Sequence, residues 1–135
     1  MTERGSQGEW TAASDTTEEI VIFLMFQPYY FYITTNPNRN VLYCGVTNNL
    51  PQRITEHYLS RGDHKFFAGK YYCYFLIYYE SFLYVNDAIT REKEVKKWRR
   101  EKKEALIMSF NPEKKFLNFE LFDTWPPKMF HRKDI

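Results

Sequence analysis

The chain has 135 residues, enough for one domain with a single core. Aromatic side chains make up 19 % of it, which excludes a disordered chain and points to a packed fold containing a sheet. The net charge of +2 is unevenly spread: residues 1–28 hold one basic and five acidic side chains, residues 29–118 fifteen and nine, and residues 119–135 three and three. A basic central region suits a polyanionic partner as well as it suits an ordinary globular surface.

Residues 1–28 read as a leader, disordered or loosely packed, polar and without periodicity as far as Glu19. Its acidic character is the reverse of a secretory signal, and the apolar run Ile20–Phe26 is too short to span a bilayer. That run reads either as an extra edge strand or as a short helix. Cys44 and Cys73 lie far apart in apolar runs, with no CxxC or Cys/His cluster, so a reducing cytoplasm is the expected compartment.

Tyr29 to Thr35 has strand composition, Asn36-Pro37-Asn38-Arg39-Asn40 is a turn signal, and Val41 to Val46 is the returning strand. Asn48 or Asn49 caps the next helix, with Pro51 in its first turn. Leu50, Arg53, Ile54 and His57 then share one helix face, which turns the arginine and histidine toward the sheet. Ser60 to Lys70 reads as a loop or broken helix, and Tyr71 to Glu80 as a third strand buried on both faces. A long helix capped by Asn86 or Asp87 runs to about Trp98, and a shorter one from Glu101 to Phe110 is stopped by Asn111-Pro112. The segment 119–135 reads as an irregular surface tail. The expected class is α+β, a small three-stranded antiparallel sheet flanked by helices.

Candidate chemistry sits on three of these elements. On the long helix, Val85, Ala88, Ile89, Glu92 and Val95 form one stripe, which sets the Glu92 carboxylate among core-facing residues. A charge there needs a partner: a salt bridge to Arg53 or a neighbouring lysine, or a metal ion. Arg53 and His57 either flank an apolar stripe with their heads in solvent or form a clamp for a phosphoryl group. Tyr32 and Tyr43, on paired strands, are plain strand residues or members of the same site. The basic run from Arg91 through Lys103 either follows a nucleic-acid backbone or is a solvated helix face.

Taken together, Tyr30-Phe31-Tyr32, Tyr43-Cys44-Gly45, Gly45-Val46-Thr47, Arg53 with His57, Tyr78-Tyr79-Glu80, Arg91-Glu92-Lys93, Lys96-Lys97-Trp98-Arg99-Arg100 and Asn111-Pro112-Glu113 resemble the GIY-YIG nuclease superfamily. The nearest likeness is to its small bacterial single-domain members, over residues 29–118. The chain departs from the motif at Tyr30, where the family has glycine, and at Phe31 and Cys44, where it has isoleucine.

The resemblance implies hydrolysis of DNA phosphodiester bonds with one divalent ion, Mg²⁺ or Mn²⁺, in repair or in processing of nicked, branched or flapped DNA. It implies Glu92 as metal ligand and Tyr43 as general base, a phenol that needs help because an unperturbed pKa of about 10 makes a poor base at neutral pH. It further implies Tyr32 positioning water or phosphate, Arg53 on the scissile phosphate and His57 as relay. Gly45 would allow close approach of the substrate, and Lys70 and Asn118 would be further substrate contacts; Lys96 and Arg99 are expected as contacts from the basic run, read as following a nucleic-acid backbone. Two other expectations compete with an active nuclease. One is a nucleic-acid-binding module of the same fold without cleavage. The other is a nuclease subunit that needs a protein partner.

Overall fold

The aromatic and β-branched run expected as the first strand forms β1 (Tyr29–Thr35), and it is the middle of the sheet. The structure, a computed structural model, describes residues 16–25 and 27–126. The expectations for residues 1–15, for Phe26 and for residues 127–135 lie outside the described residues. β1 pairs antiparallel on one side with β2 (Leu42–Thr47) and on the other with β3 (Phe75–Phe82), giving the order β2-β1-β3. The three-stranded antiparallel α+β class is as expected.

The turn between β1 and β2 is held by Asn36, whose Oδ1 accepts from the Asn40 and Val41 amides at 2.9 and 3.1 Å. Alternation along β1 divides the core between the two sheet faces. Phe31 and Ile33 join Cys44, Tyr78, Val95 and Ile107 on one face. Tyr32 joins Leu50, Ile54, Leu76 and Leu117 on the other.

The helices follow from this division. Before the sheet, α1 (Thr17–Met25) settles the open choice for the apolar run as a helix. On the Tyr32 face, α2 (Leu50–Leu59) starts at Asn49, whose side chain accepts from the Gln52 amide at 3.1 Å, with Pro51 in the first turn. Leu50, Ile54 and His57 are its buried residues, so His57 turns inward as the spacing requires.

Residues 60–70 hold turns and α3 (Phe67–Lys70), the loop or broken helix expected there; Tyr71–Tyr74 differ from expectation, forming a turn and irregular backbone ahead of the third strand. Tyr72 has a φ of 60°, and the Cys73 amide donates to Ala68 O at 2.8 Å. An apolar run cannot itself distinguish strand from a turn tied back to a helix. The close fold depends on Gly69, where a Cβ would sit 2.3 Å from Ser60 O.

On the other face lie α4 (Val85–Lys96) and α5 (Arg100–Phe110). α4 starts after Tyr84 without a side-chain cap, two or three residues earlier than Asn86 or Asp87 would set it. Ala88 and Val95 are its buried contacts, while Val85 and Ile89 stay partly exposed. Arg91 donates to Glu80 through Nε and Nη2 at 3.0 and 2.9 Å, and the Tyr78 hydroxyl donates to the same carboxylate. Two sequence motifs, Tyr78-Tyr79-Glu80 and Arg91-Glu92-Lys93, are thereby joined by one ion pair that fixes α4 to β3.

Among the described residues the outer edge of β3 has no strand partner, and two asparagines close it at a bulge between Leu76 and Tyr78. Asn111 donates to Ile77 O at 3.0 Å. Asn118, the first residue of α6 (Asn118–Leu121), accepts from the Leu76 amide at 2.6 Å and donates to Tyr74 O at 2.9 Å. In the segment expected as an irregular surface tail, Trp125 lies with its ring 5.3 Å from Tyr58 and 5.0 Å from Phe122. Among the described residues no helix is long and apolar enough to cross a membrane.

Candidate functional site

The pairing of β1 with β2 sets Tyr32 opposite Gly45, and strand alternation points Tyr32 and Tyr43 to the α2 face. There the tyrosines meet His57. The Tyr32 hydroxyl is 2.8 Å from His57 Nε2, and the Tyr43 ring is 5.2 Å from the imidazole in an edge contact. Tyr32 is fully buried, and burial raises its phenol far above the usual range; Tyr43 adds to the rise and Arg53 opposes it. Burial, then the Arg53 charge, pushes His57 down to about 4. The phenol can donate to or accept from Nε2, and the imidazole tautomer sets which.

Arg53 lies half-exposed one helical turn before His57. Its Nη1 donates to Glu56 at 3.0 Å, while the buried Nε has no protein partner. Tyr43, Arg53, Glu56 and His57 line an open hollow of about 470 Å³ together with Ser60 and residues 65–68. A second hollow of about 410 Å³ shares Arg53 and Glu56 and reaches Thr47 and the start of α4 at Val85. The arginine thus stands between two concavities.

The structure brings together Tyr32, Tyr43, Arg53 and His57. Glu92 is placed differently: it lies on α4, across the sheet, lines neither hollow, and accepts from Lys96 Nζ at 2.6 Å. This is the lysine salt bridge that its place in the stripe allowed. The Lys96 ammonium is stabilised by the hydrogen bond to Glu92, against the opposing effect of burial, and it also feels Tyr43 and Cys44. Cys44, pushed up to about 11 by burial, feels Glu92, Lys96 and Lys103.

As a ligand set, one largely shielded carboxylate fits a hard divalent cation that completes its shell with water and substrate oxygens. Among the described residues no group of three or more His, Cys, Asp or Glu side chains gathers around a common point.

Several expected substrate contacts are occupied elsewhere. Gly45 is buried, and a Cβ there would lie 2.5 Å from the Tyr32 hydroxyl. The space it leaves is filled by that tyrosine, not by substrate. Tyr32 itself has no surface open to water or phosphate. Asn118 is fully buried and spends its amide on Leu76 and Tyr74. Lys70 lies outside the hollow with its Nζ 5.2 Å from the Tyr71 ring, and exposed Arg99 precedes α5 away from both hollows. Lys96 is held by Glu92.

Glu56, Lys65, Phe66 and Phe67 were missed by sequence reasoning. Glu56 was findable as the i+3 neighbour of Arg53, and the phenylalanines as an apolar pair in a polar, glycine-containing segment.

Comparison with curated proteins and with solved structures returns no match for the chain. A family model described as the GIY-YIG catalytic domain matches residues 28–105, more than half of the chain. That span runs from the start of β1 into α5 and contains the paired tyrosines, the Arg53–His57 helix face and Glu92; the chain belongs to the GIY-YIG nuclease superfamily.

Proposed function

We propose that this chain is a divalent-cation-dependent endonuclease of the small single-domain GIY-YIG kind. It would hydrolyse DNA phosphodiester bonds in nicked, branched or flapped substrates during repair or processing. The observation that carries the reading is the shared hollow: Tyr43 and Arg53 both line it, backed by the hydrogen-bonded Tyr32–His57 pair.

In this mechanism Arg53 leaves Glu56 and binds the scissile phosphate, where a guanidinium matches the oxygens and the charge that develops on them. The Tyr43 oxygen takes the proton of the attacking water after its own phenol proton has passed to solvent in the open hollow. His57 stays neutral and, fixed through Nε2 by Tyr32, holds the Tyr43 ring along its edge. Glu92, although across the sheet from Arg53 and paired with Lys96, would be the residue to hold Mg²⁺ or Mn²⁺, and such a cation would supply charge stabilisation to a phosphodiester. Two buried free thiols, Cys44 and Cys73, support a reducing compartment and hence the cytoplasm.

The Glu92–Lys96 ion pair favours a second reading, a nucleic-acid-binding module that does not cut or cuts only with a partner protein. One experiment separates the two. Purified protein is incubated with Mg²⁺ and single-stranded, duplex, flap and branched DNA, beside Glu92→Ala and Arg53→Ala. The nuclease reading expects cutting of at least one substrate and a loss of about 100-fold or more in each variant. Undiminished cutting by both variants overturns it, and salt-sensitive binding without cutting, indifferent to Glu92 replacement, selects the second reading.

A further inference from the structure

We infer that the rim beside Tyr43 and Arg53 is a stacking platform for an unpaired nucleobase, so that the site takes a strand whose bases are free next to the scissile phosphate. The inference rests on the proposed reading of the hollow as a phosphodiester site.

Four aromatic residues cluster on residues 66–72 and remain open to solvent. Phe66 and Phe67 keep 56 % and 52 % of their surface exposed, and Tyr71 and Tyr72 keep 38 % and 48 %. An exposed apolar group of this density marks a binding surface more often than it marks idle surface. Its position is not peripheral. Phe66 and Phe67 line the same hollow as Tyr43 and Arg53. The rings also continue outward from Tyr43: Phe67 lies 6.0 Å from it at an interplanar angle of 29°, and Tyr71 lies 4.8 Å beyond Phe67.

The rim is held in shape by its backbone. Gly62 N donates to Gly69 O at 2.8 Å, Lys70 N to Phe66 O at 2.8 Å, and Cys73 N to Ala68 O at 2.8 Å. A surface fixed before binding loses little freedom when a flat ligand settles on it.

The charge of the surroundings selects the ligand. Lys65 lines the hollow and Lys70 stands against Tyr71, so the aromatic surface is flanked by cations as a polyanion with flat rings requires. Aromatic platforms set in a cationic groove bind single strands without needing a particular base, because every base presents a π-face. A base inside a duplex has both faces covered by its neighbours and cannot use the platform. An unpaired one can, and its own phosphate then falls beside Arg53. DNA and RNA share this chemistry.

The test uses the full chain in chelator, so that nothing is cut. Binding is measured to a blunt hairpin duplex and to the same duplex with a short single-stranded extension, in DNA and RNA forms, with 2-aminopurine at the junction. The extended forms should bind at least about 5-fold tighter and show quenching of the probe by stacking. Phe66→Ala, an exposed change, should bring the extended forms down to the variant's own blunt-duplex affinity and remove the quenching, and Phe66→Trp should keep both the gain and the quenching.

Equal affinity for blunt and extended forms, an unquenched probe, or a Phe66→Ala loss shared equally by both forms would overturn the proposal. So would a Phe66→Ala effect confined to self-association. Adding Mg²⁺ afterwards separates this idea from the one it rests on. Stacking without cutting removes the nuclease reading and keeps the platform. Cutting of blunt duplex with no preference for unpaired ends keeps the nuclease and removes the platform.

Discussion

The Tyr32 hydroxyl sits 2.8 Å from His57 Nε2, and it joins the central strand to the one helix on that face which carries the candidate phosphate-binding arginine. Neither group has appreciable solvent to fall back on, since Tyr32 is 0 % and His57 7 % exposed. Removing the hydroxyl strands the imidazole nitrogen in the core, which costs about 1–3 kcal/mol. Tyr32→Phe should therefore keep the fold and lose that much stability in urea unfolding. An unchanged midpoint would mean that the pair is not a closed hydrogen bond.

The same pair makes stability depend on pH. His57 takes up a proton near 6.5 in the unfolded chain but only at about 4 in the folded one. Between those values the unfolded state binds more protons, so stability is complete above about pH 6.5 and falls as the pH drops toward 4. The full contribution is about 3 kcal/mol. Urea midpoints from pH 4 to 7 should slope more steeply for the native chain than for His57→Gln. Equal slopes would place the acid sensitivity in other groups.

Gly45 makes room for that hydroxyl. An added Cβ would meet Tyr32 Oη at 2.5 Å and Cζ at 2.6 Å, from a ring with nowhere to move. Gly45→Ala should cost about 1–3 kcal/mol as overpacking. Combining it with Tyr32→Phe should recover part of the loss at most, because the Cζ contact survives. A full recovery in the double variant would show that only the hydroxyl was in conflict.

Asn118 distinguishes a structural from a substrate role directly. Asn118→Ala leaves the Leu76 amide and the Tyr74 carbonyl at the sheet edge without their partner, a loss of about 1–3 kcal/mol or more in thermal unfolding. Well below the melting temperature, nucleic-acid affinity should match that of the native chain. A selective loss of affinity with native stability would return Asn118 to the substrate site.

Lys96 competes for the carboxylate proposed as the metal ligand. Its side chain is 54 % exposed, so the pair itself is weak, and Lys96→Gln should tighten Mn²⁺ binding by up to about 5-fold in calorimetric titration. Glu92→Gln should abolish that binding. Mn²⁺ affinity indifferent to both changes would remove Glu92 from the cation site.

Local chemistry made much of this molecule readable beforehand. The Asn-rich turn, the Asn49 cap with Pro51 behind it, and the stop at Asn111-Pro112 act over a few residues, so their outcome is written in neighbouring side chains. The inward turn of His57 follows from helical spacing, and the common face of Tyr32 and Tyr43 from strand pairing. Contacts between distant segments were not readable in this way. That Gly45 serves Tyr32, that Asn118 seals β3, and that Tyr71–Tyr74 turn back onto α3 all depend on which segments the fold brings together.

The placing of Glu92 is the sharpest case. Periodicity set it toward the core, but only the tertiary structure decided that this core lies on the opposite sheet face from Arg53, with Lys96 as its partner. A helix repeat fixes which side chains share a stripe; which face of which sheet receives that stripe is set by the whole chain's packing.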